Sequence, residues 1–358
     1  VSLGPFIIDA TDRKTISVLS RYFDRLLPII ESDLQSVLTA PDGYPPLFFR
    51  MLRYHMGWAS AEGMPDPAGG GGKRVRPLLC LLACESAGGD FNPARPAAAA
   101  VELIHNFSLL HDDVEDRSPT RRGRPTVWSV WGERQAINAG DALFALAHLA
   151  IPRLAQPGTL PADVLVDLLR TLDETCLELT RGQHLDMLFE SQEAVSTNEY
   201  LDMIAGKTAA LLGAAACMGA LCAGASEARQ TLYCTFGTRL GMAFQVRDDI
   251  LDIWGDPSAT GKEAAIDIRQ RKKSLPVIYA LARSEALRDL YADPDPFDDK
   301  AVAHAIALLD EVDARGYAEE LARRYSEETV AALGEAAPQG DAGRALFDLV
   351  DRLLYRDR

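Results

Sequence analysis

Apolar residues recur three and four apart along most of the chain. From 17 to 38 they are Val18, Leu19, Tyr22, Phe23, Leu26, Leu27, Ile29, Ile30, Leu34 and Leu38, the spacing of one buried helix face. The same period predicts helices over about 96–115, 133–153, 162–190, 198–224, 228–254, 274–284, 300–312, 317–334 and 342–355. No run alternates convincingly at period two and no hairpin signal stands out, so the expected class is all-α. Breaks fall at Pro65–Gly72, Arg121–Pro125, Gly255–Gly261 and Pro294–Asp299. None has the length of a linker. The expectation is a single domain over 1–358, with a C-terminal helical portion from about 300.

One stretch needs a separate test. Between Lys207 and Glu227 lie 19 uncharged residues, mostly Ala and Gly. Their transfer free energy is weak, which favours a close-packed buried helix over a membrane span. The composition is that of an ordinary globular chain, 47% hydrophobic and 25% charged over 358 residues. A net charge of −15 disfavours nonspecific nucleic-acid binding. It also makes any local cluster of Lys and Arg informative. The cysteines, Cys80, Cys84, Cys176, Cys217, Cys222 and Cys234, show no C-x-x-C pair and no flanking His at ligand spacing. Scattered free thiols suit a cytoplasmic protein. Asp9, Asp12 and Arg13 interrupt the N-terminal stretch, so no signal peptide is expected.

The chemistry concentrates in two acidic motifs. Asp112-Asp113-Val114-Glu115-Asp116 and Asp248-Asp249-Ile250-Leu251-Asp252 share one spacing. In a helix the outer aspartates lie one turn apart on one face and repel unless a cation neutralises them. Hard oxygen ligands completed by water and phosphate describe Mg²⁺. One such cluster can be a solvated helix end. Two copies, each inside apolar helix, are costly to bury without cations.

Basic residues complement them. Gly71-Gly72-Lys73-Arg74-Val75-Arg76-Pro77 and Arg121-Arg122-Gly123-Arg124-Pro125 are two clusters, followed by Lys207, Lys262 and the Arg271-Lys272-Lys273 run. Each has the character of a diphosphate clamp, and each taken alone could be a surface ion-pair partner. Three Gly-Lys pairs, at Gly72, Gly206 and Gly261, are not nucleotide loops, because none has the full spacing or follows a predicted strand.

These motifs, with Gly206-Lys207-Thr208 and Phe244-Gln245-Val246-Arg247 in the same order, resemble the trans-isoprenyl diphosphate synthases. The resemblance is dense over about 68–285 and closest to the geranylgeranyl type. It implies a single-domain helical bundle around a central cavity, working as a homodimer. It implies Mg²⁺, three ions per active site, held by Asp112, Asp116, Asp248 and Asp252. Arg121, Lys207 and Lys262 would bind the allylic diphosphate. Lys73, Arg76, His105 and Arg122 would bind that of isopentenyl diphosphate. Thr208 and Gln245 would line the region where the allylic cation forms. Asp113, Asp249 and His111 would stand behind the ligands, and Gln183 and Asp186 would order the metal site. His105 can also be read as a satisfied core histidine.

The resemblance further suggests product length. Phe107 and Ser108 lie five and four before Asp112, so one aromatic beside one small residue leaves room past Ser108, with Phe107 and Ile104 as floor. The expected product is C20, with C15 and C25 or longer as alternatives from dimethylallyl, geranyl or farnesyl primers. A class I terpene cyclase would not need Lys73, Arg76 and Arg122, and a noncatalytic subunit would have lost aspartates. The loop at Lys262 departs from the family at Glu263, Ala265 and Arg271.

Overall fold

The computed structural model describes residues 17–66, 69, 71–255, 265–293 and 297–354. The helices are α1 (Val18–Val37), α2 (Pro46–His55), α3 (Val75–Gly88), α4 (Arg95–Glu115), α5 (Val127–Trp131), α6 (Glu133–Leu154), α7 (Ala162–Ser191), α8 (Thr197–Ile204), α9 (Ala210–Cys222), α10 (Glu227–Trp254), α11 (Ile266–Arg269), α12 (Leu275–Leu281), α13 (Glu285–Ala292), α14 (Asp299–Glu311), α15 (Ala314–Glu335) and α16 (Gly340–Leu354). The expected all-α class is what forms, and every helix predicted from periodicity is present. α2, α3, α5, α11 and α13 are additional. α3 hid because Pro77 to Cys84 are buried all round, and a helix with no polar face has no period to read. α2 is short and opens on Pro45-Pro46.

One expectation fails at the second predicted loop. Thr120–Arg121 pairs antiparallel with Arg124–Pro125, a hairpin where none was foreseen. Its two-residue turn puts Arg122 at φ 53 and Gly123 at φ 74. Positive φ at both central positions is the type I′ geometry that matches strand twist. Arg-Gly is a weak version of the usual Asn-Gly signal.

The chain divides into two compact units, 1–173 with 215–230 and 338–346, and 174–214 with 231–337 and 347–358. In the first unit α4 packs on α6 through small residues. Ala97, Ala98, Ala100, Ala136, Ala139, Ala147 and Ala150 are buried. A Cβ on Gly140 would come within 2.3 Å of the His111 ring. Arg95 ties α4 to Asp33 of α1 at 2.6 Å.

The second unit is organised around a π-helical segment, Ala205–Ala209, between α8 and α9. α8 starts with a capping box, Ser196 and Glu199 bonding reciprocally. The π segment is then gripped by glycines. A Cβ on Gly182 of α7 would meet the Lys207 backbone nitrogen at 2.1 Å, and one on Gly241 of α10 would meet Ala209 Cα at 2.5 Å. Ile253, Ile268, Val277, Ala280, Leu287, Phe297 and Leu309 form a core farther along the same unit.

Residues Thr197–Cys222 are apolar and long enough to cross a membrane, yet 67% of the apolar window is buried inside the protein, as in a core helix. Cys80, Cys84, Cys176 and Cys222 are free thiols. Cys217 and Cys234 are disulfide-bonded, which corrects the expectation of six free thiols. Spacing along the chain does not register a bridge closed by folding.

Candidate active site

In the first unit the buried Arg74 organises the glycine-rich segment. It sits at φ 49 as the N-cap of α3, bonded to Glu31 and Glu102 at 2.7 Å each. A buried Arg between two carboxylates fixes the backbone on both sides of it. Its neighbours Lys73 and Arg76 stay half-buried. Arg76 Nη1 lies 3.4 Å from His105 Nε2. Because guanidinium can only donate, that nitrogen accepts. The hairpin turn brings Arg122 against the same segment, where a Cβ on Gly72 would lie 2.8 Å from its guanidinium.

Burial works against charge on this cluster. Burial lowers Arg76. It pushes His105 well below the usual histidine value, with Arg76 and Arg122 adding to the effect. It pulls Arg122 down to about 10, with Glu102 opposing and Arg74 and Arg121 reinforcing. Two half-buried guanidiniums set beside a neutral histidine donor or acceptor favour a bound anion.

α4 carries the first aspartate motif at its C-terminus. Asp112 is half-buried, Asp116 exposed and Asp113 turned inward. Arg121 Nε donates to Asp113 Oδ1 at 2.6 Å. Burial nevertheless raises Asp113 to about 6, with Arg121 opposing. Its Oδ2 is buried without a hydrogen bond.

In the second unit the π segment aims two side chains. Lys207 Nζ donates to Asp186 Oδ2 at 2.5 Å. Thr208 Oγ1 donates to Gln245 Oε1 at 2.9 Å, and Gln245 Nε2 donates to Asp249 Oδ1 at 3.0 Å. Asp249 Oδ2 accepts from the Tyr200 hydroxyl at 2.6 Å and from Leu275 N at 3.2 Å. Burial still lifts Asp249 to about 7, against those three donors. Asp248 and Asp252 are half-buried on the other face of α10.

Among the described residues no three His, Cys, Asp or Glu side chains form a metal cage. Each motif instead offers two accessible carboxylates one turn apart. That donor set fits Mg²⁺, which takes one or two carboxylates and completes its shell with water and phosphate.

Residues 64–309 match the Polyprenyl synthetase family. The chain belongs to this family. It is 44% identical over 295 residues to a geranylgeranyl diphosphate synthase of Mycobacterium tuberculosis, covering 81% of this chain and 83% of that one. It is 41% identical over 274 residues to a (2E,6E)-farnesyl diphosphate synthase of the same organism, covering 76% and 72%. The solved polyprenyl synthetase of Streptomyces coelicolor A3(2) superposes with a TM-score of 0.82 at 36% identity, covering 94% of this chain and 98% of that one. The protein is a prenyltransferase, a trans-isoprenyl diphosphate synthase.

Within the synthetase, Arg76 and His105, both expected at one diphosphate, are neighbours. Lys262 and Glu263 lie outside the described residues. His111 packs over Gly140, 3.3 Å from Ile137 O and 3.6 Å from Asp141. Lys273 departs from the clamp reading. It donates to Phe189 O at 2.8 Å and also to Gln192 O, at the C-terminus of α7, where free helix carbonyls attract a cation. Phe107 meets Phe144 of α6 edge-on at 5.3 Å, and Ser108 Oγ turns back to His105 O at 2.9 Å. Arg74, Glu102, Phe144 and Tyr200 were missed. Their roles arise from contacts across the fold that no local spacing announces.

Proposed function

We propose that this synthetase condenses isopentenyl diphosphate head to tail with dimethylallyl, geranyl and farnesyl diphosphates and stops at geranylgeranyl diphosphate. The observation carrying the substrate reading is the convergence of Arg76, His105 and Arg122 on the glycine-rich segment, with Arg76 Nη1 3.4 Å from His105 Nε2 and the Arg122 guanidinium against Gly72. With Lys73 they take the diphosphate of isopentenyl diphosphate. Arg121, Lys207 and Lys262 take the allylic one. Asp112 and Asp116, and likewise Asp248 and Asp252, are the Mg²⁺ ligands. Mg²⁺ supplies, when bound, neutralisation of charge on the leaving diphosphate.

The protein's own groups then do three things. The cations orient both diphosphates and stabilise the one that departs. Thr208 and Gln245, braced by Asp249, present a fixed dipole toward the developing allylic cation. The cation requires a site closed to water, and the departing diphosphate accepts the proton lost on coupling. Gln183 and Asp186 steady the Lys207 end.

Product length follows from Phe107 as floor beside the small Ser108. Of the two mycobacterial relatives one is a geranylgeranyl and the other a farnesyl diphosphate synthase, so the ruler is the test of the finer reading. We further infer one prenyltransferase domain formed by both units, acting as a cytoplasmic homodimer. Ile137 and Leu149 on α6 and Val166 on α7, exposed in the isolated chain, support a partner face.

Labelled isopentenyl diphosphate with each of the C5, C10 and C15 primers, followed by chromatography of the dephosphorylated alcohols, tests this. The expected product is C20. Phe107→Ala lengthens it to C25 and beyond, and Ser108→Phe shortens it to C15. Unchanged lengths in both variants would remove this face of α4 as the ruler.

A further inference from the structure

The C-terminus of α2 is clamped beside the cation cluster. The Tyr54 hydroxyl donates to Pro125 O at 2.7 Å. Arg124 lies 4.2 Å over the Tyr54 ring and donates to Tyr54 O at 3.3 Å, and Trp131 closes edge-on at 5.0 Å. The clamp fixes the next residue, His55. Its ring borders a small cavity of about 30 Å³ shared with Asp113, Arg121 and Arg122. His55 Nε2 is fully buried and has no hydrogen-bond partner. A buried imidazole nitrogen without a partner is rare in a folded protein.

Most other polar groups of the cavity are committed, Asp113 Oδ2 being the exception. Arg121 and Asp113 bond each other. Arg124 donates to the carbonyls of Gly69 and Ala59. Burial, then Arg122, Arg121 and Arg74, hold His55 well below the usual histidine value. A neutral ring can donate one N–H without adding to the repulsion among the arginines. The volume admits one oxygen rather than a whole diphosphate, so the ring would meet the edge of a larger anion.

We propose that His55 is a ligand of the isopentenyl diphosphate site, donating through Nε2–H to a phosphate oxygen that Arg122 also binds. This deepens the reading of Arg122 given above. The competing arrangement is internal. The Asn106 side chain comes within hydrogen-bonding range of the ring and opposes the effect of burial, but outside good geometry, since neither His55 Nε2 nor Asn106 Oδ1 completes a hydrogen bond; a small shift would close the two on each other.

Steady-state kinetics of His55→Phe, His55→Gln and Asn106→Ala, with thermal unfolding of each, separate the two. Loss of one donor to a phosphate should raise the KM for isopentenyl diphosphate roughly tenfold in His55→Phe. The KM for geranyl diphosphate and kcat should stay within about twofold, and His55→Gln should recover part of the loss. Inorganic pyrophosphate should shift the His55 ring ¹⁵N resonances of the wild-type protein. An unchanged KM for isopentenyl diphosphate in His55→Phe overturns the proposal. So does an equal fall in Tm for His55→Phe and Asn106→Ala with no kinetic change, which assigns the ring to Asn106. Wild-type turnover in the same assay reports on the condensation reading independently.

Discussion

Asp113 and Asp249 hold the same place in two motifs of the same spacing, and each is turned inward from its outer neighbours. They are supported differently. Asp113 has one charged arm, Arg121, itself 19% exposed, and leaves one carboxylate oxygen without a hydrogen bond. Asp249 has three neutral donors from α8, α10 and the start of α12. A charge-assisted bond to a long side chain gives strength with little geometric constraint beyond the pair. A web of neutral donors drawn from separate elements fixes the carboxylate against all of them at once. The first motif is therefore held electrostatically, and the second is part of the local architecture.

The largest effect should be one in which the motifs behave alike. Asp112→Ala and Asp248→Ala should each lower kcat by about a thousandfold or more, since the barrier rises by several kcal/mol when a charge-neutralising ion is lost. Near-normal turnover in one of them would break the parity of the two motifs as metal sites.

The motifs should part at the helix crossings beside them. Gly182→Ala drives a Cβ into the Lys207 backbone. It should cost about 1–3 kcal/mol in denaturant unfolding and depress turnover with it. Gly140→Ala meets only the His111 ring, which can rotate, and should cost clearly less. Equal losses would mean the second unit is no more rigid than the first. Next, Tyr200→Phe strips one donor from Asp249 and should appear as about 1–3 kcal/mol of lost stability. Arg121→Gln should instead raise the allylic KM with a smaller change in Tm. The reverse pattern would exchange the two descriptions. The smallest effect is expected for Lys273→Met, about 0.3–1 kcal/mol from the lost helix cap, with both KM values unchanged. A raised KM would return Lys273 to the diphosphate clamp.

Legibility in the sequence tracks how local each cause is. α1, α6 and α10 announce themselves because a half-buried helix must alternate its faces. α3 does not, because burial on every side erases the pattern. The outer aspartates, Lys73, Arg76 and Lys207 stand out in the sequence because the proposed chemistry needs that residue type at that spacing. Tyr200 is 49 residues from Asp249, and only folding makes it a partner. Arg74 was visible as one of three cations within four residues, but not as the one facing inward between Glu31 and Glu102. The type I′ turn failed for a different reason. Arg carries the left-handed position there, where the usual signal is Asn or Asp.

That arginine has a consequence for the history and redesign of the protein. Arg74 and Arg122 stand at φ 49 and 53, a backbone region that costs a side chain roughly 1 kcal/mol or more over glycine. At Arg74 that cost is outweighed, because glycine there would strand the carboxylates of Glu31 and the buried Glu102. At Arg122 selection for heat tolerance alone would drift toward Gly or Asn, while selection for turnover would hold arginine. A library sorted by thermal survival should therefore shed activity at codon 122, and a stabilised scaffold of this enzyme should keep both arginines and seek its gain elsewhere.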